Sequence, residues 1–533
     1  METIDAQVVV IGAGPTGGAV TWRLARAGID VVCLERGRWP DYAALDRDGA
    51  DWELRRVGPL HTNPNRRRGP DDEPVDDVDS PIKPAVASAV GGASLHWAAH
   101  MPRYRPEDFR VRSLDGVAAD WPIAYADLEP YYALNEAMMG VAYLPGDPSA
   151  PPRQGCPPPL PTLGAHGRRV AAAFDRLGWH WWPVDLAVGR GAEDPEARRC
   201  DHLGPCDLGC ASRIRAGADR AYVEPAVAAG ARVATGLRVG RLEHDDAGRI
   251  TAALCRGEAG PVRVTGRTFV LCGNGMETPR LLLLSASARF PNGLANGSGQ
   301  VGRNLMLHPH ARVDGVFDEA VGAWSSGEKA GLVSLEFYAA AGRRDFARGF
   351  KLQLNPGPGP VALARGAPGG AALPWGRGHH AAFEAAFDHA LALTVCIEDL
   401  PEPDNRVALS ETLADRDGLP APRLVYALSA ESRRVLDFGI ARAREALEAA
   451  GARACHVDPL RIEAGFHLMG TARMGADPAT SVVDDWGRCH EIENLHIGDA
   501  SVFVTSGCLN PTATAQAFAL RLADRIAATT GGS

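Results

Sequence analysis

The sequence predicts a two-domain α/β protein whose dinucleotide-binding domain is assembled from segments far apart along the chain. Three observations predict it. The run VVVIGAGPTGG (residues 8–18) sets a glycine fingerprint between a β-branched stretch and a helix-forming one. The run IDVVCLE (29–35) follows and ends in an acid. Near the other end, FHLMGTARMG (466–475) and IGDASVFVTSGCLNPTATAQAFALR (497–521) supply a histidine and an asparagine beside glycine-rich turns. At 533 residues the chain exceeds one ordinary core, and two domains are the natural expectation.

Residues 7–11 read as a buried parallel strand, 12–17 as a turn and 19–27 as a helix. Gly28 ends that helix and 29–35 return as a second strand, giving one βαβ unit. Residues 41–83 read as a long polar loop, with Arg66, Arg67 and Arg68 solvated among acids. The proline-dense stretch 146–163 reads as a crossing between domains, and 355–378 is a second Gly/Pro-rich interruption. A strand at 269–274 precedes a helix with Pro279 near its first turn. Residues 429–451 read as an amphipathic surface helix, with Leu436, Ile440, Ala443 and Leu447 at helical spacing. FHLMG (466–470), NLHIGDA (494–500) and the helical TATAQAFALRLADRIAA (512–528) close the chain.

The spacing of Gly12, Gly14 and Gly17 has a mechanical reason. Gly12 permits the tight turn, Gly14 lets the backbone approach a pyrophosphate, and Gly17 lets the helix pack close to the strand. The helix N-terminus then offers free N–H groups to phosphate. Glu35 lies 23 positions after Gly12, where an acid hydrogen-bonds a ribose hydroxyl and disfavours a 2′-phosphate. The fingerprint alone does not choose between NAD and FAD.

Hydrophobic residues make up 45% and charged residues 23% of the chain, an ordinary globular balance. A net charge of −9 argues against a nucleic-acid partner. No apolar run approaches the roughly 20 residues of a membrane span. The start METIDAQVVVIG lacks the features of a signal peptide. Eleven scattered cysteines suggest reduced thiols and make the cytoplasm the expected compartment.

With VGGASLHW (90–97), GNGMETPRLLLLS (273–285), VGRNLMLHP (301–309) and HLMGTARMG in order, the chain resembles the glucose–methanol–choline oxidoreductases, nearly end to end. EDLPEPDNRVAL (398–409) is similar to the bacterial sugar and gluconate dehydrogenases, and SLHW to pyranose 2-oxidase. The resemblance implies FAD. It implies a Rossmann-like FAD-binding domain from residues 1–145, 200–310 and 459–533. A crossing segment, 146–199, and a substrate domain, 311–458, with an antiparallel sheet flanked by helices, would complete the fold. It sets Gly91, Gly92 and Ser94 along the flavin, Val239 near the adenine, and Asp499 near the ribityl chain or pyrophosphate, with Pro511 also at the cofactor. The chain departs from the family's second signature at Asn274, Gly275 and Ala286.

His467 stands at the histidine of the family's H-x-x-G-T pattern, and Asn510 at its second catalytic position. Alcohol oxidation needs a base for the hydroxyl proton and an acceptor for hydride. A histidine suits the first task, and an uncharged amide can hold the substrate oxygen without competing for the proton. His490 and His496 lack the motif and are read as surface or core residues. His96 offers two readings: a covalent flavin link, as in pyranose 2-oxidase, or, preferred, a histidine packed beside the ring. Cys200, Cys206 and Cys210 offer three: a three-iron (3Fe–4S) cluster, a zinc site with His202, or, preferred, a loop with no metal.

The expected activity is FAD-dependent oxidation of a CH–OH group in a sugar, glycoside or polyol. Oxygen, a quinone or a redox partner protein would take the electrons. Two rivals keep the fold: a lyase of the hydroxynitrile lyase kind with a redox-silent flavin, and a non-catalytic flavoprotein subunit.

Overall fold

The first βαβ unit follows from its residues. The strand Glu2–Ile11 carries Val8, Val9 and Val10, all fully buried, as a central parallel strand requires. The helix Pro15–Arg26 begins on proline, whose missing N–H costs nothing in a first turn. Gly28, at φ 75°, turns the chain back into the strand Val31–Glu35. The computed structural model describes residues 2–43, 54, 61–153, 163–189, 209–324, 331–339, 346–366 and 373–530.

The larger sheet runs in the order Arg232–Thr235, Val31–Glu35, Glu2–Ile11, Gly260–Leu271, Ile250–Gly257, Arg238–His244. The first four strands are parallel and the last two form an antiparallel extension. The strand Leu495–Ile497 joins the far end of Gly260–Leu271 in parallel. The C-terminal segment thereby enters the sheet that the N-terminus began. The helix Thr512–Thr530 then packs beside Pro15–Arg26.

The second sheet is antiparallel, in the order Ala454–Asp458, His310–Val316, Ala390–Ile397, Phe350–Pro356, Leu332–Ser334, Trp182–Pro183. Alternation divides its faces. Ala311, Val313, Leu352, Leu354, Leu391, Leu393 and Val395 are buried against the helix Ala430–Ala449. His310, Arg312, Gln353 and Thr394 point the other way and line a cavity, and Lys351 lies on their side of the sheet by alternation. That helix is amphipathic, as its spacing predicts, with Arg433, Arg434, Asp437, Arg444 and Glu448 exposed on its outer face. It buries Val435, Leu436, Gly439, Ala443 and Leu447, and Gly439 sets it close to the sheet, because an added Cβ would stand 2.4 Å from Val395 Cγ1. Truncating Leu436 to alanine there would cost about 2–5 kcal/mol.

Two sequence expectations change. The helix Asn274–Leu284 starts earlier than expected, so Pro279 lies inside it rather than in its first turn. Arg67 is not solvated. Its side chain is buried against Asp72, and it donates to the carbonyls of His61 and Val86. Arg66 is exposed and pairs with Glu463. Among the described residues no helix is long and apolar enough to cross a membrane.

Candidate active site

One cavity of about 480 Å³ joins the glycine turn to the second sheet. Its lining includes Gly12, Gly14, Glu35, His467 and Asn510. The three fingerprint glycines differ in what surrounds them. A Cβ on Gly12 would stand 2.4 Å from the Cys272 carbonyl oxygen, and one on Gly17 1.8 Å from that of Gly12. These two are closed by the protein itself. A Cβ on Gly14 would meet nothing within 4 Å. Gly14 is also the N-cap of the 12-residue helix Pro15–Arg26, with no side chain capping it. This open cradle beneath free N–H groups fits a diphosphate.

Other residues fit the rest of a dinucleotide. Glu35 is buried, its Oε2 accepting from Ala13 N at 2.9 Å and its Oε1 from Gly37 N at 2.8 Å. Burial raises its pKa despite those bonds. It lines the cavity, where its remaining lone pairs suit ribose hydroxyls. Val239 lines the same end, and neighbouring Leu237 N bonds the Glu35 carbonyl. Gly91 N donates to Ala13 O at 2.8 Å, and Gly92 seats against Gly14. Ser94 is a staple: its hydroxyl donates to Gly91 O at 2.6 Å and accepts from Ala218 N at 2.9 Å. His96 and Pro511 also line the cavity.

Asp499 works through protein contacts. Its Oδ2 accepts from Asn274 N and Thr278 Oγ1, and its Oδ1 from Ser501 N. This buried carboxylate, with its pKa raised by burial, ties the start of the helix Asn274–Leu284 to the C-terminal segment. Thr471 ties the same helix a second time. Pro279 has no N–H for the carbonyl of Gly275 four residues back, and the Thr471 hydroxyl bonds that oxygen at 2.8 Å. Gly470, at φ 86°, has no room for a side chain, since its Cβ would stand 2.4 Å from Asn304 O. The G-T pair behind His467 is thus fixed by packing and by one orphaned carbonyl.

Both expected chemical groups reach the cavity, and each is held by a residue the sequence reading missed. His467 Nδ1 lies 2.9 Å from His308 Nδ1. Lys351 Nζ donates to Asn510 Oδ1 at 2.5 Å. Lys351 is buried, and burial lowers its pKa. The signal for it was alternation: in FKLQLNP the polar residues fall at every second place, and register sets Lys351 opposite Cys396 and Gln353 opposite Thr394. His308 stood in LMLHP with no role attached.

Burial holds His467 well below its ordinary pKa, helped by neighbouring His308, His310, Lys351 and His100. Burial likewise lowers His308 to about 4 and His310 to about 3. All three rings are neutral at working pH, so the His467 lone pair is available. Asp399 braces this corner. It accepts from Leu307 N, Tyr426 Oη and Ser432 Oγ, and its backbone exchanges hydrogen bonds with the Ser506 hydroxyl. Arg312, Gln353, Asn355, Thr394 and Arg461 complete a polar wall.

Cys200 and Cys206 lie outside the described residues. Cys210 is a half-buried free thiol beside Ser212. Among the described residues no group of three or more His, Cys, Asp or Glu side chains is arranged to hold a metal ion.

Comparison with known proteins shows the family. Family models described as GMC oxidoreductase match residues 182–310 and 401–519, and an FAD binding domain model matches residues 5–44. The chain is 36% identical to 2-methyl-1,2-propanediol dehydrogenase of Mycolicibacterium austroafricanum, over 98% of this chain and 95% of that one. It is 31% identical to the fructose dehydrogenase large subunit of Gluconobacter japonicus, over 98% of each. Pyridoxine 4-oxidase from Mesorbium loti shares the fold at 17% identity, with a TM-score of 0.61 covering 98% of this chain and 99% of that one. The chain belongs to the glucose–methanol–choline oxidoreductase family, FAD-dependent enzymes that oxidise CH–OH groups of alcohols and sugars.

Proposed function

We propose that the enzyme oxidises a CH–OH group of a sugar, glycoside or related polyol, with His467 as the base and Asn510 holding the reacting oxygen. One observation carries this: both side chains open into the cavity that also contains Gly14 and Glu35. FAD, when bound by the Gly12–Gly14 turn and Glu35, supplies the hydride acceptor. His467 takes the hydroxyl proton at Nε2. Asn510, its oxygen engaged by Lys351, offers Nδ2–H to the substrate oxygen and aligns the carbinol C–H. With the proton held on His467 Nε2 and the oxygen on Asn510 Nδ2, the alcohol would be poised to become a carbonyl once bound FAD supplied the hydride acceptor.

The polar wall supports a polyol over a long apolar alcohol. Arg312, Gln353, Asn355 and Thr394 offer donors and acceptors to several hydroxyls, and two relatives are named for a diol and a ketose. The electron acceptor is taken to be oxygen, a quinone or a redox partner. Anaerobic stopped-flow reduction tests the base. His467→Ala is expected to bind FAD normally and to reduce it about 10²–10⁴-fold more slowly. Reduction at the wild-type rate would remove His467 from the mechanism.

A further inference from the structure

We infer that His308 is a positioning residue that sets the tautomer of His467, placing the lone pair of the base on Nε2. The inference rests on the reading of His467 as base.

The hydrogen-bond chain can be followed from its buried end. His308 Nε2 faces two backbone carbonyls, Ser506 O at 3.0 Å and Gly507 O at 2.5 Å. Carbonyl oxygens only accept, so this nitrogen carries the hydrogen. A neutral imidazole protonated at Nε2 has a bare Nδ1. That Nδ1 lies 2.9 Å from His467 Nδ1. The ring centres are 4.9 Å apart with planes at 88°, so the two nitrogens face each other between the rings instead of stacking. His308 must accept there, and His467 Nδ1 must donate. The single hydrogen of neutral His467 is then fixed on Nδ1, and Nε2 is left bare. His467 lines the cavity and His308 does not. The opposite assignment would set a bare His308 Nε2 against two carbonyl oxygens in a fully buried site.

Which ring nitrogen of a histidine is protonated is set by the bond the other one makes. A carboxylate in that place would fix the same tautomer but would also draw the base toward its charged form. A neutral imidazole fixes it without that bias. When the substrate proton arrives on His467 Nε2, the Nδ1–H bond to His308 becomes charge-assisted with its acceptor already aligned. His308 itself neither gains nor loses a proton. Its backbone sits at φ 51°, a conformation uncommon outside glycine, asparagine, aspartate and histidine. The preceding residue is anchored through Leu307 N, which donates to Asp399 Oδ2.

The test is a two-bond ¹H–¹⁵N spectrum of the holoenzyme carrying ¹⁵N-labelled histidine, with His467 assigned from the signals missing in His467→Gln. The expected pattern is hydrogen on Nδ1 and a lone pair on Nε2 in the wild type. In His308→Leu that pattern is lost, and anaerobic flavin reduction slows about 10²–10⁴-fold at little-changed substrate affinity. In His308→Asn, which tolerates the positive φ and sets Oδ1 near the lost Nδ1, the pattern and most of the rate return. Hydrogen on Nε2 in the wild type would overturn the inference, whether or not either variant folds. So would a His308→Leu enzyme with unchanged rate and tautomer. A wild-type rate in His467→Gln would instead remove the base reading and leave the tautomer result standing.

Discussion

Gly14→Ala separates cofactor binding from folding at the fingerprint. Gly14 sits at φ −74°, which alanine adopts freely, and the added methyl meets no protein atom within 4 Å. Replacing glycine under those conditions stabilises a fold by about 0.4–1 kcal/mol, through the unfolded chain. Alanine is a poorer N-cap than glycine, which offsets that gain, so the apoprotein is expected to melt close to wild type. The methyl projects into the cavity, between the helix N-terminus and the place a diphosphate would take. Losing one charge-assisted N–H bond costs about 1.5–3 kcal/mol, or roughly 10- to 150-fold in affinity. Titrating apoprotein with FAD and following the quenching of flavin fluorescence measures this directly. Gly17→Ala is the contrast: its Cβ would lie 1.8 Å from Gly12 O, so the apoprotein itself loses stability. The reasoning is refuted if Gly14→Ala binds FAD as wild type does, or if it destabilises the apoprotein as Gly17→Ala does.

Three other outcomes follow from the same geometry. Because burial holds His467 well below its ordinary pKa, kcat/KM for a non-ionising substrate should stay flat as pH falls from 8 through 6.5. An acid limb centred near 6.5 would contradict a neutral, buried base. Lys351→Met frees the Asn510 amide to turn and removes a cation that depresses His467. Single-turnover flavin reduction should slow by about 10- to 150-fold, with the acid limb moved upward, and an unchanged rate would show that the amide needs no anchor. Burial raises Asp399 from 3.8 to about 6, so its stabilising contribution is fully present below pH 3.8 and is lost as pH rises through 6. Relative to Asp399→Asn, the wild type should lose about 2 kcal/mol between pH 4 and pH 7. Denaturation at several pH values checks this, and a pH-independent difference would count against it.

What was legible in the sequence depended on the range of the cause. Gly12, Gly14 and Gly17 were legible because a tight turn and a close helix are local demands. That His467 and Asn510 share a cavity could be anticipated only from a longer pattern, since nothing in FHLMG or LNPTA alone tells a cavity residue from a core one. His308 was missed because its partner lies 159 positions away, and no local rule connects the two. Lys351 was within reach, as alternation in FKLQLNP marks one face of a strand. The amphipathic helix at 430–449 was legible because helical spacing separates its buried face from its exposed one. Arg67 was read from the charges beside it, whereas a packed Asp72 decides its place.

The second sheet keeps its two tasks on opposite sides of the same strands. Leu352 and Leu354 serve the core, while Gln353 between them faces the cavity. Selectivity can therefore drift, in nature or in a directed library, at Arg312, Gln353, Asn355 and Thr394 with the scaffold left intact. Changes at Gln353 should be the mildest, since the other three already bond to protein neighbours. A descendant tuned to a new hydroxyl pattern would carry its innovations at every second residue.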